Sequence, residues 1–155
     1  MNRFFGVMAG FLLACLPAAA QTQQPIRVNC GGANYTDSNG QVWQADTGFN
    51  TGTASTNTAV TTGTSDPALY QSNRYNQSAA PLTYLLPVVN GNYRENLLFA
   101  ENSPAQQVVG ARVFNVKLNS TVVLQNFDIF AAAGANTAAV EGFNGRDERQ
   151  HSHRI

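Results

Sequence analysis

Ser65-Asp66-Pro67-Ala68-Leu69-Tyr70-Gln71-Ser72-Asn73-Arg74-Tyr75 opens a stretch that runs, through Leu82-Thr83-Tyr84-Leu85-Leu86-Pro87-Val88-Val89-Asn90-Gly91-Asn92-Tyr93, to Leu97-Leu98-Phe99-Ala100-Glu101. Leu82, Tyr84, Leu86 and Val88 recur at period two, and so do Tyr93, Leu97 and Phe99, which is the spacing of one strand face. Asn90-Gly91 between the two runs is a strong hairpin signal, since both residues tolerate the positive φ of a type I′ turn. The expectation is a hairpin with one face in a core. Glu95 sits on that face, where a carboxylate is costly unless paired. Glu95→Val is therefore expected to stabilise the fold, with Arg94 or Arg112 the candidate partners that would cancel the effect.

Outward from this stretch the chain keeps the same character. Ile26–Cys30 reads as a short strand stopped by Gly31-Gly32, a pair that permits a tight bend or close backbone approach. Asp37-Ser38-Asn39-Gly40 is a turn by composition, and Asn119-Ser120 is another. Val113–Leu118 alternates as a strand, Thr121–Leu124 returns, and Asn126–Phe130 continues it into a small-residue loop, 131–139. Thr47–Thr64 is rich in Thr, Gly, Asn and Ser and has no sustained periodicity, so it reads as a long loop and a candidate binding loop. Short strands separated by turn signals, with no convincing amphipathic helix, indicate an all-β antiparallel sandwich in a single domain.

Several words of this chain, in order, resemble the malectin domain, a carbohydrate-binding β-sandwich of jelly-roll type. They are DPALYQSNRY (66–75), PVVNGNY (87–93) and LLFAE (97–101). Upstream and downstream, IRVNCGGANYTDSNGQVWQADTGF (26–49) and GARVFNVKLNSTVVLQNFDIFAAAGANTA (110–138) extend the likeness over Ile26 to about Val140. The resemblance implies a non-catalytic module that binds a glucose-containing oligosaccharide or polysaccharide. It also implies a set of sugar contacts: a tyrosine in the long loop, the tyrosine closing the E-R-Y triplet, paired aromatics after F-A-E, and an aspartate near the C-terminus. Only Tyr75, in Asn73-Arg74-Tyr75, carries over. The long loop has no aromatic beyond Phe49, Asn102, Ser103 and Pro104 replace the aromatic pair, and the chain ends before the aspartate.

The ends of the chain differ from its body. Met1–Ala20 reads as a secretory signal: Arg3, an apolar run from Phe4 to Leu16, and Pro17-Ala18-Ala19-Ala20 as a small-residue cleavage site before Gln21. That run is too short to span a bilayer well. Leu12-Leu13-Ala14-Cys15 loosely resembles a lipoprotein box, which would lipidate Cys15 instead. The mature chain is expected outside the cytoplasm, with the domain over 21–144. From Gly145 the sequence becomes GRDERQHSHRI, charged and without period two, and is expected not to pack as a strand. The sandwich would then lack its last strands.

Composition removes other functions. The formal net charge is zero, which argues against nucleic acid, whose binding depends on phosphates neutralised by Lys and Arg. Cleavage of the leader removes Cys15 and leaves Cys30 alone. No internal disulfide can then form and no thiolate cluster exists for a metal. Cys30 alternates with Ile26 and Val28 and is read as a small core residue rather than a nucleophile. His151 and His153 lie in the charged tail, lack a ligand set, and are poorly placed to serve as a base. No cofactor is implied.

Glycoside hydrolysis needs two carboxyl groups at a defined separation, and Asp66, Glu101 and Asp128 are the candidates. Each lies in a word of a non-catalytic module. Trp43 reads as a packing residue. What remains for a ligand is an aromatic platform drawn from Tyr35, Tyr70, Tyr75, Tyr84 and Tyr93, since ring faces pack on sugar C–H groups while hydroxyls hydrogen-bond. The alternative is a protein-interaction or adhesion module working through its loops.

Overall fold

The computed structural model describes residues 24–78 and 80–147. Strand β1 (Val28–Asn29) pairs in parallel with β3 (Val42–Ala45), which pairs antiparallel with β2 (Tyr35–Thr36). The turn between β2 and β3 is the expected one, closed by a bond from Gly40 N–H to the Asp37 carbonyl, with Gly40 at φ 75°. Strand β4 (Thr53–Thr56) pairs antiparallel with β5 (Ser72–Tyr75). Strand β6 (Gly91–Phe99) pairs over its full length with β9 (Ala139–Asp147), and β7 (Phe114–Leu118) with β8 (Thr121–Phe127).

The layers meet at a cluster of phenylalanines. Phe99 of β6 lies 5.9 Å from Phe114 of β7 and 5.3 Å from Phe127 of β8, centroid to centroid. Phe114 and Phe127 meet edge to face at 5.7 Å. Tilted and edge-on contacts of this kind suit the ring quadrupoles. Buried Ile129 lies at the start of a one-turn helix, α1 (Ile129–Ala133), and buried Tyr70 in a 3-10 turn, Pro67–Tyr70. The fold is all-β with sandwich-like layering, as the alternating patterns imply.

Four expectations are corrected. The Asn90-Gly91 hairpin does not form: neither residue has positive φ, and β6 takes β9 as its partner. Leu82–Val88 remains extended with alternating exposure, but it lies along residues 48–50, where Leu85 N–H donates to the Gly48 carbonyl and Asn50 N–H to that of Thr83. The stretch 47–64 is not structureless, since β4 lies inside it. After Phe127 the chain turns into α1 rather than continuing as strand. Asp128 caps that helix through Ala131 N–H, and the alanines that follow favour helix. Finally, Gly145, Arg146 and Asp147 belong to β9, opposite Tyr93, Asn92 and Gly91. The boundary at Gly145 predicted from charge density therefore falls within a strand. The tail beyond it, with His151 and His153, and the leader 1–20 lie outside the described residues.

Glu95 keeps the predicted face of β6 but is half-buried, with Phe143 opposite and its Oε1 close over Gly145. A half-buried carboxylate keeps much of its hydration, so the gain expected from Glu95→Val shrinks toward the ~1 kcal/mol span of strand propensity. Arg112 is engaged with Glu101 instead.

Gly31 meets the expectation of close backbone approach. Its φ is 75°, and a Cβ there would lie 2.1 Å from the Asn73 carbonyl oxygen. Only glycine lets the Cys30–Gly32 bend pack on β5. Among the described residues no helix is long and apolar enough to cross a membrane.

Candidate glycan-binding site

The carboxylates that could have hydrolysed a glycosidic bond are occupied with holding the fold. Asp66 ties the Pro67–Tyr70 turn to the β2–β3 turn: its Oδ1 accepts from Tyr35 Oη (3.0 Å) and Ser38 N–H (2.7 Å), and its Oδ2 from Ser38 Oγ (2.8 Å) and Ser65 Oγ (3.1 Å). Glu101 is 1% exposed, takes Ser103 N–H on Oε1 at 3.0 Å, and has Arg112 Nε 3.2 Å from Oε2. That second contact is an ion pair without hydrogen-bond alignment. Asp128 caps α1 and takes Gly110 N–H at 2.6 Å. Asp37 accepts Trp43 Nε1–H at 3.0 Å, which fixes the indole as a packing residue.

These bonds have a pH signature. Hydrogen bonds hold Asp37 (chiefly from Trp43) and Asp128 (chiefly from Gly110) below the ordinary carboxylate range. At Asp66 burial opposes ionisation, but the donors Ser38, Tyr35 and Ser65 outweigh it, so its pKa is also lowered. A folded pKa below the unfolded value means that the unfolded chain binds more protons as pH falls. The stability these groups supply is present above the unfolded value, about 3.9, and is lost as pH drops through the folded values. The urea midpoint is expected to hold near neutrality and to fall progressively below about pH 4. A midpoint that rises on acidification would contradict these assignments.

Cys30 is corrected as well. It lies in the bend after β1 and is an exposed residue. Its thiol pKa is raised, first by local desolvation and also by the Asp46 charge, so it is a poor nucleophile.

Four of the five tyrosines are committed to the fold. Tyr35 donates to Asp66, and buried Tyr70 reaches Thr64. Tyr84 donates to Asp46 Oδ1 at 2.8 Å, and Tyr93 donates to the Val89 carbonyl. Tyr75 differs. It closes β5, is 37% exposed, and among the described residues its hydroxyl has no hydrogen-bond partner. The β4–β5 register places Thr53 opposite Tyr75 and Ser55 opposite Asn73. These four residues are exposed and share one face of the ribbon, because side chains alternate along a strand. The result is an aromatic ring bordered by two hydroxyls and an amide, with no charge on that face.

The opposite face carries the charge. Arg74 Nε lies 2.6 Å from Asp46 Oδ2, its Nη1 donates to the Gly52 carbonyl at 2.6 Å, and its guanidinium stacks 3.4 Å over the Phe49 ring. Gly52, at φ 91°, is pressed against the Tyr75 carbonyl. Arg74 therefore clamps the turn into β4 beneath the platform. Sequence reasoning did not place Thr53, Ser55 and Asn73 beside Tyr75, because their placement depends on the β4–β5 register, which no local pattern encodes.

The structure does not bring Asn102–Pro104 to Tyr75. Asn102 Nδ2 donates to the Tyr70 carbonyl at 2.7 Å and Thr61 Oγ1 at 3.3 Å, ahead of the start of β5, whereas Tyr75 closes that strand. Its side chain is knitted inward. A separate open depression of about 510 Å³ on the β6–β9 ribbon is lined by Asn92, Tyr93, Asn144 and Gly145, none of which is an acid, a base or a thiol.

With this geometry in place, comparison with known proteins is decisive. The model of the malectin domain family matches residues 25–145. The chain belongs to the malectin domain family. Mouse malectin is 42% identical over 74 residues, which make up 47% of this chain and 24% of that protein. The chain thus aligns with about a quarter of its curated relative. Among solved structures, Bacteroides uniformis beta-glucuronidase superposes with a TM-score of 0.65 at 19% identity, covering 80% of this chain and 15% of that one. A calcium-binding mutant of beta-glucuronidase 2 from the same organism gives 0.66 at 20% identity with the same coverage. At such identity the likeness shows the fold alone. Membership of the malectin domain family supports a carbohydrate-binding module.

Proposed function

We propose that this chain is an exported, non-catalytic glycan-binding domain that holds a glucose-containing oligosaccharide or polysaccharide on the Tyr75 platform. The observation that carries the reading is the freedom of Tyr75: the other tyrosines are engaged by the fold, and this one is presented on an uncharged ribbon face. A ring there can pack on pyranose C–H groups while Thr53, Ser55 and Asn73 meet ring hydroxyls. The absence of catalysis is supported by the structural employment of Asp66, Glu101 and Asp128. Export is supported by the leader read at 1–20, and the domain body is taken to run from 21 through the end of β9.

One aromatic makes a weak site. Stacked aromatics contribute roughly 0.5–1.5 kcal/mol each beyond burial, and about 1.4 kcal/mol is tenfold in affinity. Without the two or three further contacts that the family pattern supplies, affinity is expected to fall by one to a few orders of magnitude. Calorimetry of the mature chain with gluco-disaccharides is expected to give weak heats that vanish in Tyr75→Ala, whose urea midpoint stays unchanged. Tight binding that survives Tyr75→Ala would sink this reading.

A further inference from the structure

The outer edge of β4 is built to pair. Asn57 N–H donates to the Gln71 carbonyl, in the register that sets Ser55 opposite Asn73 and Thr53 opposite Tyr75. In an antiparallel ladder such bonded pairs alternate with unbonded ones. Thr53 and Ser55 therefore turn their N–H and C=O groups toward β5, while those of Ala54 and Thr56 point away from it. Among the described residues nothing pairs with that edge, and all four residues of β4 are exposed.

Strand edges are normally blunted by charge, proline or a bulge. Strand β4, Thr-Ala-Ser-Thr, has none of these, and its register with β5 is unbroken. The other strand edges are short or carry charge: the edge strands β1 and β2 have two residues each, β3 is paired on both sides, β5 carries Arg74, β6 carries Arg94 and Glu95, β7 carries Lys117, and β9 carries Glu141. Uncharged β8 has register shifts against β7 and a positive φ at Asn126.

We propose that a second copy of this chain docks there, β4 against β4, antiparallel about a twofold axis through Ser55. The edge is complementary to itself. With Ser55 opposite its symmetry mate, Ala54 faces Thr56 of the other copy in both directions, and the four outward donors and acceptors close four backbone hydrogen bonds. Every side chain brought together is small and uncharged, and the formal net charge of the chain is zero, so nothing repels the approach.

The twofold axis is perpendicular to the sheet and keeps each ribbon face on its own side. The result is a continuous four-stranded sheet, β5-β4-β4-β5, with both Tyr75 platforms on one face. Three strand spacings and four residues of rise separate the rings by about 20 Å. If the glycan reading of Tyr75 holds, which dimerisation itself does not require, one polymer chain can engage both sites, and a weak site gains avidity.

The interface is small, so association is expected to be weak and concentration-dependent. Sedimentation equilibrium of the mature chain, taken up to about 1 mM, is expected to show mass rising from one chain toward two. Ser55→Lys, which sets two like charges against each other, is expected to remain at one chain with an unchanged urea midpoint. In a Cys30→Ser background, mild oxidation of Ser55→Cys is expected to give a disulfide-linked dimer, and that of Thr53→Cys is not, because its mates lie four residues apart across the axis. A single-chain mass throughout with no cross-link from Ser55→Cys would overturn the proposal. So would equal cross-linking from both positions. No sugar is present in these measurements, so their failure is distinct from a failure of the calorimetry.

Discussion

Arg74→Ala is expected to destabilise the fold by about 3–5 kcal/mol, the range for stranding one member of a buried ion pair. The side chains of Arg74 and Asp46 are 11% and 8% exposed, so solvent screens little of the interaction. The substitution removes more than a charge. Asp46 would keep only the Tyr84 hydroxyl, Phe49 would lose the guanidinium over its ring, and the Gly52 carbonyl would lose its donor. Set against a total stability of about 5–15 kcal/mol, this is a large fraction. A urea midpoint within experimental scatter of wild type would show that the cluster is not a structural clamp. The partner substitution Asp46→Asn tests the charge separately. If coupling dominates, the double variant should lose less than the sum of the two singles. Because Arg74 fixes Gly52 and with it the turn into β4, partial loss of the clamp should also loosen the Tyr75 platform on the other side of the same ribbon.

How much of this was legible in the sequence depends on the range of the interaction. Local chemistry read well. The Asp37–Gly40 turn, the Asn119-Ser120 turn with Asn119 at φ 52°, and the close approach at Gly31 each depend on a few neighbouring residues. Period two also told which residues of 82–88 and 91–99 share a face. It could not tell which strand lies alongside. Asn90-Gly91 favours a hairpin, but that preference is small beside a nine-residue ladder with β9, and Pro87 lacks the N–H that a returning strand would need so close to the turn. The partner of β6 lies forty or more residues away in a segment whose charges argue against a strand. Its alternation is interrupted by Gly142 and Gly145, over which Arg94 and Glu95 lie.

The site shows the same division. Tyr75 was proposed through its place in a motif, whereas its neighbours Thr53, Ser55 and Asn73 come from pairing across the ribbon. Asp66, Glu101 and Asp128 were recognisable as carboxylates but not as fasteners, since that depends on donors distant in sequence, such as Tyr35 and Ser38 for Asp66. A sparsely charged chain places much of its electrostatics inside. Buried Asp37, Asp66 and Glu101 join turns that a small apolar core does not reach.

Glu101 gives the clearest test of that principle. At 1% exposure it is the most enclosed ionisable group among the described residues, and Arg112 is its one cationic partner there. Arg112→Ala is expected to destabilise the domain by about 2–4 kcal/mol, toward the lower end for a buried pair because Arg112 is itself 33% exposed and partly screened. The loss should come from the stranded carboxylate rather than from missing contacts of the arginine stem. Adding Glu101→Gln to Arg112→Ala removes the charge while keeping the shape and an acceptor for Ser103 N–H, so the double variant is expected to recover most of the lost urea midpoint. Glu101→Gln alone leaves Arg112 free to turn to solvent and should cost about 1 kcal/mol. If the double variant were as unstable as Arg112→Ala, the stem of Arg112 would matter through packing, and the buried charge would not be what holds the loop after β6 in place.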